Sequence, residues 1–389
     1  MAVPLSYSLR NIRVRWRLTL LAVVGITLVV AVFTVLMAMS EGFRAALRGS
    51  GRADNAIVVS RGSASEMFSE VTPEERNVIL ADARILRRPD GEALASAESV
   101  MVMSLRKRID GHRTNVTLRG VPPSAFEVRG GIRVTSGRPF RPGLPEVMAG
   151  RRIRERVRDL DVGSTFRYRG QDLTVVGVFE SDGAAFESEA WGDYASLNAL
   201  LRRPTLTNCM VVRMKDPTEI PALDGWIRSL PGASLQAVPE RLYFENRGGQ
   251  VAMVLRALAS LVAVVMGVGA VFGAMNTMYA IVAARTREIG TLRALGFSRR
   301  AILASFVLES ALLALIGGGL GCLLAFSANG YTTGASNLQT FREVAYAFRI
   351  TPAIVGTGMA FALVMGILGG LLPSVRAARL SIAAAVREG

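Results

Sequence analysis

Three residue types are scarce in this 389-residue chain, and each scarcity removes a class of chemistry. There are two lysines, Lys107 and Lys215, preceded by Arg106 and Met214. A P-loop needs Gly-Lys-Ser/Thr, because backbone amides and the lysine together cradle the phosphates. Neither lysine has that context, so the chain is not expected to hydrolyse ATP by that route, and no bound cofactor is expected. The one histidine, His112, sits in the turn-like Asp110-Gly111-His112. A solvated hairpin loop suits that setting better than a catalytic base. The two cysteines differ in setting: Cys209 is in a polar stretch and Cys322 in an apolar run. Neither a disulfide nor a thiolate zinc site is expected from them.

What is abundant is apolar residues and arginine. Half the residues are hydrophobic and the mean hydropathy is +0.34, which fits several membrane spans plus a large water-exposed domain. The net charge is +15. Such a charge invites a nucleic-acid reading. Many of the arginines flank apolar runs, however, so a membrane surface explains them better and no nucleic-acid partner is expected.

The order along the chain is as follows. A basic amino-terminal segment (1–17) carries Arg10, Arg13, Arg15 and Arg17, and is read as a cytoplasmic amphipathic stretch. The first span is 18–40, with an uncharged run of 22 residues over 18–39. That run is too long for the ~7–15-residue apolar region of a cleaved signal peptide, and long enough for a ~30 Å core. An extracytoplasmic α+β domain is expected over 41–250. Strands are expected near 56–60, 99–105, 114–119, 165–169, 173–179 and 209–214, with hairpin turns at Asp110-Gly111 and Gly170-Gln171 and helices over 73–83 and 150–159. The acidic stretch 179–194 lacks EF-hand spacing and reads as a solvated loop. Asn115-Val116-Thr117 matches a glycosylation sequon by pattern only.

The second span is 251–284, uncharged over 257–284, with Arg256 placed to snorkel at its outer end. Gly269 and Gly273 form a G-x-x-x-G pair that would let two helices approach. Asn276 is a polar amide within this span, expected to hydrogen-bond across helices. A short amphipathic helix over 285–298 follows, then a third span (299–330), a short outer loop (331–349), a fourth span (350–375) ended by Pro373, and a cytoplasmic tail (376–389). In the short helix Ile289, Leu292 and Leu295 recur at spacing three and share a face. Gly296 suits the left-handed cap and Ser298 can cap the next helix. Glu309 is the one ionised group in the third span. A carboxylate at mid-bilayer costs ~2.5–3.5 kcal/mol, so it is expected to face protein, as a structural hydrogen-bonding group or a transport relay.

The segment from Arg285 to Gly296 resembles the coupling helix of the FtsX-like and MacB-like permeases of ABC transporters. Their R-E-I-G-x-L-R-A-L-G is matched by Arg287, Glu288, Ile289, Gly290, Leu292, Arg293, Ala294, Leu295 and Gly296. Further similarities are Asn276-Thr277-Met278, Gly317-Gly318-Gly319-x-Gly321 after Glu309, and the ending Pro-Ser-Val-Arg-Ala-Ala-Arg-Leu. In the domain, the order Gly120-Val121, Gly137-Arg138, Val162-Gly163 and Val175-Val176-Gly177-Val178 is also similar. The resemblance implies four transmembrane helices with a MacB-like domain between the first two, and a permease dimer working with a separate ATP-hydrolysing subunit. The ATPase-coupling residues it implies are Arg285, Arg287, Glu288, Ile289, Gly290, Leu292, Arg293, Leu295 and Gly296. It also implies ATP bound on that partner alone, export from the extracytoplasmic side, and a periplasmic adaptor with an outer-membrane duct. The MacB-like exporter carries a fused amino-terminal ATPase. This chain departs from it there and is expected to be a stand-alone permease. Two other readings stay open on the sequence: an FtsX-like regulator of a cell-wall hydrolase, and a juxtamembrane basic loop that holds acidic lipid. A channel is disfavoured by the lack of a charged pore lining.

Overall fold

The computed structural model describes residues 16–232, 234–336 and 343–380. The expectations for Arg10, Arg13 and Arg15, and for the tail over 381–389, lie outside the described residues. The chain forms two compact units. Helix α1 (Trp16–Arg48) and helix α7 (Glu240–Ala283) contribute to both.

The larger unit, 42–252 with 332–347, is built on one mixed sheet of ten strands. Its strands are β1 (Asn55–Ser60), β2 (Ala95–Arg106), β3 (Arg113–Val121), β4 (Arg133–Gly137), β5 (Glu146–Gly150), β6 (Thr165–Tyr168), β7 (Gln171–Glu180), β8 (Glu189–Asp193), β9 (Cys209–Arg213) and β10 (Leu235–Pro239). The order is β10-β1-β9-β2-β3-β8-β5-β7-β4, with β6 paired to β7. The pairs β3–β8 and β5–β7 are parallel, and the rest are antiparallel. Val- and Ile-rich strands bury both faces. One face packs Ile57, Val59, Phe179, Phe186 and Trp191, and the other Ala56, Val58, Ile79, Met210 and Ile227. Short helices α2 (Pro73–Leu80), α3 (Ala125–Arg129), α4 (Arg151–Arg156), α5 (Tyr194–Leu200) and α6 (Ile220–Ser229) cover it. Helix α2 begins with a capping box, Thr72 and Glu75 each bonding the other's backbone amide.

Two local readings are corrected. The stretch 179–194 is not a solvated acidic loop. Within it β8 is buried end to end, Glu187 accepts from the Ser181 and Gly183 amides at 2.9 and 2.8 Å, and Asp193 caps α5. Glu187, Glu189 and Asp193 are buried and satisfied internally, so for them charge did not mean exposure, while Asp182 stays exposed. The second hairpin turns at Arg169-Gly170, both with positive φ (49° and 87°), one residue before the expected pair. Gly137, φ 73°, could not carry a side chain, because a Cβ there would run into the Val176 carbonyl.

In the other unit, the described residues hold four helices long and apolar enough to cross a membrane: 19–48 within α1, 252–283 within α7, α9 (Arg299–Phe326) and α10 (Pro352–Arg379). Between α7 and α9 lies α8 (Thr286–Ala294). Strands β11 (Thr332–Ser336) and β12 (Glu343–Ala347) form a hairpin between α9 and α10 in the chain and belong to the larger unit.

Lipid offers helices no hydrophobic incentive to associate, so close approach has to come from small residues. Gly317 and Gly321 of α9 lie against Ile26, Thr27 and Val30 of α1. Gly366 and Gly370 of α10 lie against Ala314 and Ser310 of α9. Gly369 meets Ala274 of α7. Pro373 does not end α10, which runs on to Arg379. The Ser374 hydroxyl donates to the Gly370 carbonyl at 2.6 Å beside the ring, a local adjustment that membrane helices use around proline.

This packing predicts that Gly366→Leu destabilises the full chain by about 1–3 kcal/mol through overpacking. Gly319→Leu, whose added carbon meets nothing within 4 Å, should leave the thermal midpoint in detergent unchanged.

Candidate functional site

The short helix α8 is delimited as its sequence suggests. Gly296 adopts φ 91° and its amide donates to the Arg293 carbonyl at 3.1 Å, closing the helix. Ser298 then caps α9 by accepting from the Ala301 amide at 3.2 Å. Two caps within three residues make a tight corner, so α8 and α9 are joined with little slack.

Burial divides α8 into two faces. Ile289 is 1% exposed and packs with Met278, Ile281, Val282, Ile302, Phe306 and Ala377. Gly290 is buried and Leu292 and Arg293 are half-buried. Arg287, Glu288 and Thr291 are exposed. Leu295 departs from the expected face and is 71% exposed. The helix ends at Ala294, and the cap carries Leu295 off the Ile289 side. Arg287, Glu288, Thr291 and Leu295 therefore make one accessible surface, mixed in charge with one large apolar side chain.

Arg285 lies apart from that surface. Its side chain is 4% exposed and points into the bundle, where Nη1 donates to Glu309 of α9 at 2.8 Å. Nε bonds Glu288 at 3.3 Å, and the guanidinium stacks over Phe306 at 5.3 Å. Glu309 is 5% exposed at its side chain. So the acid of the third span faces protein, as its cost in lipid demanded, and its partner is the arginine that opens α8. Sequence reasoning placed Glu309 correctly and missed its partner. The two are 24 positions apart, and only the fold of the α7–α8–α9 corner joins them. Arg285, Glu288, Ile289 and Leu292 line a small cleft with Ile302, Ser305 and Phe306 of α9.

Asn276, Gly269 and Gly273 fall differently from expectation. All three are exposed, on one outward stripe of α7, and a Cβ at either glycine would meet nothing within 4 Å. Asn276 makes no interhelical hydrogen bond among the described residues. The residue that packs α7 inward is Gly267, against Phe361 and Met365. Spacing identified a small-residue face but not which side of the helix its own bundle would cover.

A second constellation went unseen in the sequence. Inside the larger unit, Arg119 and Arg129 hold four buried glutamates. Arg119 bonds Glu189 at 2.7 and 2.9 Å, Glu98 at 2.8 Å and Glu66 at 3.1 Å. Arg129 bonds Glu98 and, at 2.7 Å, Glu240, the first residue of α7. The Arg52 amide and Asn55 also donate to Glu240, at 3.0 and 2.8 Å. Neutral donors add to the set: Ser96 to Glu98, Trp191 to Glu189, and the Cys209 thiol to Glu66. The two arginines and four glutamates lie on six separate stretches of chain, and alternation in β2, β3 and β8 alone would not have singled them out. The network fastens the start of α7, and the strand that follows α1, to the sheet. Among the described residues no cluster of His, Cys, Asp or Glu is set to hold a metal.

Burial opposes the Glu98 charge, and Arg129 and Arg119 overcome it, holding the carboxyl below its usual value of 4.5. Its stabilising contribution is therefore present above the ordinary carboxylate range and lost as pH falls below it. Glu98→Gln should cost about 3–5 kcal/mol at neutral pH by leaving buried guanidinium charge unmatched. The gap to the unaltered chain should narrow as a denaturation series moves to pH 4 and lower.

Comparison with known proteins gives two family matches. The MacB-like periplasmic core domain matches residues 19–230, and the FtsX-like permease C-terminal domain matches 260–382. Curated relatives include an ABC transporter permease, YvrN, of Bacillus subtilis, 41% identical over 115 residues (30% of this chain, 26% of that one). The macrolide export ATP-binding/permease protein MacB of Hahella chejuensis is 38% identical over 135 residues (34% and 20%). The pyoverdine export ATP-binding/permease protein PvdT of Pseudomonas syringae pv. tomato is 40% identical over 129 residues (33% and 18%). The chain thus spans about a fifth to a quarter of the length of the curated relatives it matches. Solved structures include the extracellular domain of YknZ, a noncanonic ABC-type transporter of Gram-positive bacteria (17% identity, TM-score 0.35, 47% of this chain and 99% of that one). The periplasmic region of MacB from Actinobacillus actinomycetemcomitans is at 12% identity and TM-score 0.36 (51% and 94%).

Proposed function

This chain belongs to the family of ABC transporter permeases that pair a MacB-like periplasmic core domain with an FtsX-like permease domain, and from that premise we propose that α8 is its input lever. A separate ATP-hydrolysing subunit docks on the exposed surface of α8, formed by Arg287, Glu288, Thr291 and Leu295, and ATP stays on that subunit. The observation that carries this reading is the division of α8 into an open, chemically mixed face and a face anchored by Ile289 and by the Arg285–Glu309 pair. A push on the open face reaches α9 through a buried ion pair and a capped four-residue corner, with no long linker to absorb it. Arg293 and Gly296 serve the lever as packing and cap residues, and Gly290 lets its inner face sit close.

The chain is a membrane protein with its large domain on the extracytoplasmic side. Its ends are cytoplasmic by the arginine distribution, and α8 shares that side. The stroke moves the spans and the outer domain, which handles a substrate outside the bilayer for export. An adaptor and an outer duct are consistent with that route. The same reading assigns a second permease copy to the open stripe of α7. Only 22% of that helix's apolar window is buried, against 39–44% for the other three, and Gly269, Gly273 and Asn276 lie along the uncovered side. There a second helix could approach closely and give the amide a partner.

Arg287→Glu and Leu295→Asp alter exposed side chains outside the Arg285–Glu309 anchor, so folding and membrane yield should be unchanged. ATP turnover of the co-expressed ATPase should lose its permease-dependent stimulation. Unaltered stimulation and export in both variants would remove the lever from consideration.

A further inference from the structure

The tip of the β2–β3 hairpin has an odd composition for a turn. It reads Arg106-Lys107-Arg108-Ile109-Asp110-Gly111-His112-Arg113. Ile109, at its apex, is 90% exposed. Arg106 and Arg113 are direct cross-strand partners in the register, and both are exposed. Like charges directly opposite destabilise a strand pair, so the fold itself gains nothing from this arrangement.

The tip does not stand alone. Lys107 bridges to Val157, the Arg108 amide donates to the Arg156 carbonyl at 2.8 Å, and the Arg158 amide donates to the Arg106 carbonyl at 2.8 Å. The exposed Arg158 thereby joins Arg106 and Arg113 in one basic surface. Arg108 and Arg154 are already committed, both holding Asp161 at 2.6 and 2.9 Å. Asp161 aside, the acids on these two segments are Asp110, Glu155 and Asp159, against seven arginines and lysines over 106–113 and 154–158.

The position of this surface within its unit is informative. Helix α4, which leads into 156–158, donates from Arg152 Nη1 to the Ala345 carbonyl of β12 at 3.3 Å. Ser188 and Ala345 exchange two further hydrogen bonds. Tyr346 of β12 packs edge-on against Phe43 at 5.3 Å. Phe43 lies four residues after the uncharged run 18–39, and β12 ends five residues before α10 begins. The hairpin tip therefore belongs to the end of the domain from which the chain passes into the membrane.

We propose that the β2–β3 tip, with Arg106, Arg113 and Arg158 around Ile109, is a contact surface for anionic phospholipid headgroups on the outer face of the membrane. The guanidinium groups engage headgroup phosphates and Ile109 enters the headgroup–acyl boundary. The negative lipid surface relieves the repulsion between Arg106 and Arg113. An acidic protein would meet the same cations, but Ile109, 90% exposed between them, suits the boundary between headgroups and acyl chains and favours lipid.

The test uses the full chain in nanodiscs, with Ile109→Cys carrying an environment-sensitive fluorophore. Cys209 and Cys322 are free and buried, so labelling is directed to the tip. Emission should shift to the blue in discs containing phosphatidylglycerol, and brominated phosphatidylglycerol should quench it. Phosphatidylcholine discs should show neither effect, and adding inorganic phosphate to them should not produce it. Arg106→Gln with Arg113→Gln should weaken the contact about five-fold per charge removed, while the thermal midpoint holds or rises. A label equally exposed to water in both discs would overturn the proposal and leave the surface to a protein partner. A lipid-dependent shift that survives the double substitution would equally sink it.

Discussion

A carboxylate set within an apolar helix must be answered by another group, and the arrangement of the membrane unit follows from how Glu309 is answered. Lipid cannot hydrate it and its side chain is 5% exposed, so a carboxylate there calls for a cation beside it. Arg285 supplies that cation from the turn between α7 and α8. The pair fixes where α8 starts, Ile289 fixes how it lies, and Ser298 fixes where α9 resumes. Elsewhere the bundle is held by glycines meeting backbone and small side chains on α1, α9 and α10. Packing of that kind is close but carries no direction of its own. The ion pair gives the corner a unique geometry, the specifying use for which buried charge is best suited.

The larger unit solves a similar problem in water. A ten-stranded sheet with Val, Ile and Leu on its faces would bury well with no charges inside. It nevertheless encloses two arginines and four glutamates, all near complete burial. Their common property is that they tie chain ends together. Glu240 opens α7, Arg52 and Asn55 follow α1, and Glu66, Glu98, Arg119, Arg129 and Glu189 come from the sheet and its cover. A cluster of apolar contacts could slide by a fraction of an ångström at low cost. A set of bidentate guanidinium–carboxylate bonds cannot, because its angles are specified along with its distances. The two long helices are thus gripped at their domain ends by directional bonds.

Much of this was legible from residues alone. Apolar runs of membrane length, broken only by Glu309 in α9, marked α1, α7, α9 and α10, since few other demands produce so many apolar residues in succession. The Gly296 and Ser298 caps were legible because each acts within a few residues of itself. The faces were not. Leu295 matched a helical spacing but fell beyond the last turn, and Gly269, Gly273 and Asn276 shared a side that is left exposed among the described residues. Strands β4, β5, β8 and β10 of the large sheet were missed because each is only five residues long, and β8 is acidic. The ionic network was hidden for the same reason as the Arg285–Glu309 pair. Its bonded members are separated by up to 188 positions, and charge in a sequence ordinarily signals a surface.

Cys209 carries a consequence of its own. It lies in a domain held outside the cytoplasm, where free thiols are exposed to oxidants. Its sulfur is fully buried, and burial together with Glu66 and Glu98 raises its pKa well above 9.0. The thiolate, the form that attacks disulfides and peroxides, is therefore denied to it while the domain stays folded. The carboxylate cage that positions α7 thereby also keeps a lone sulfhydryl chemically silent in the folded domain.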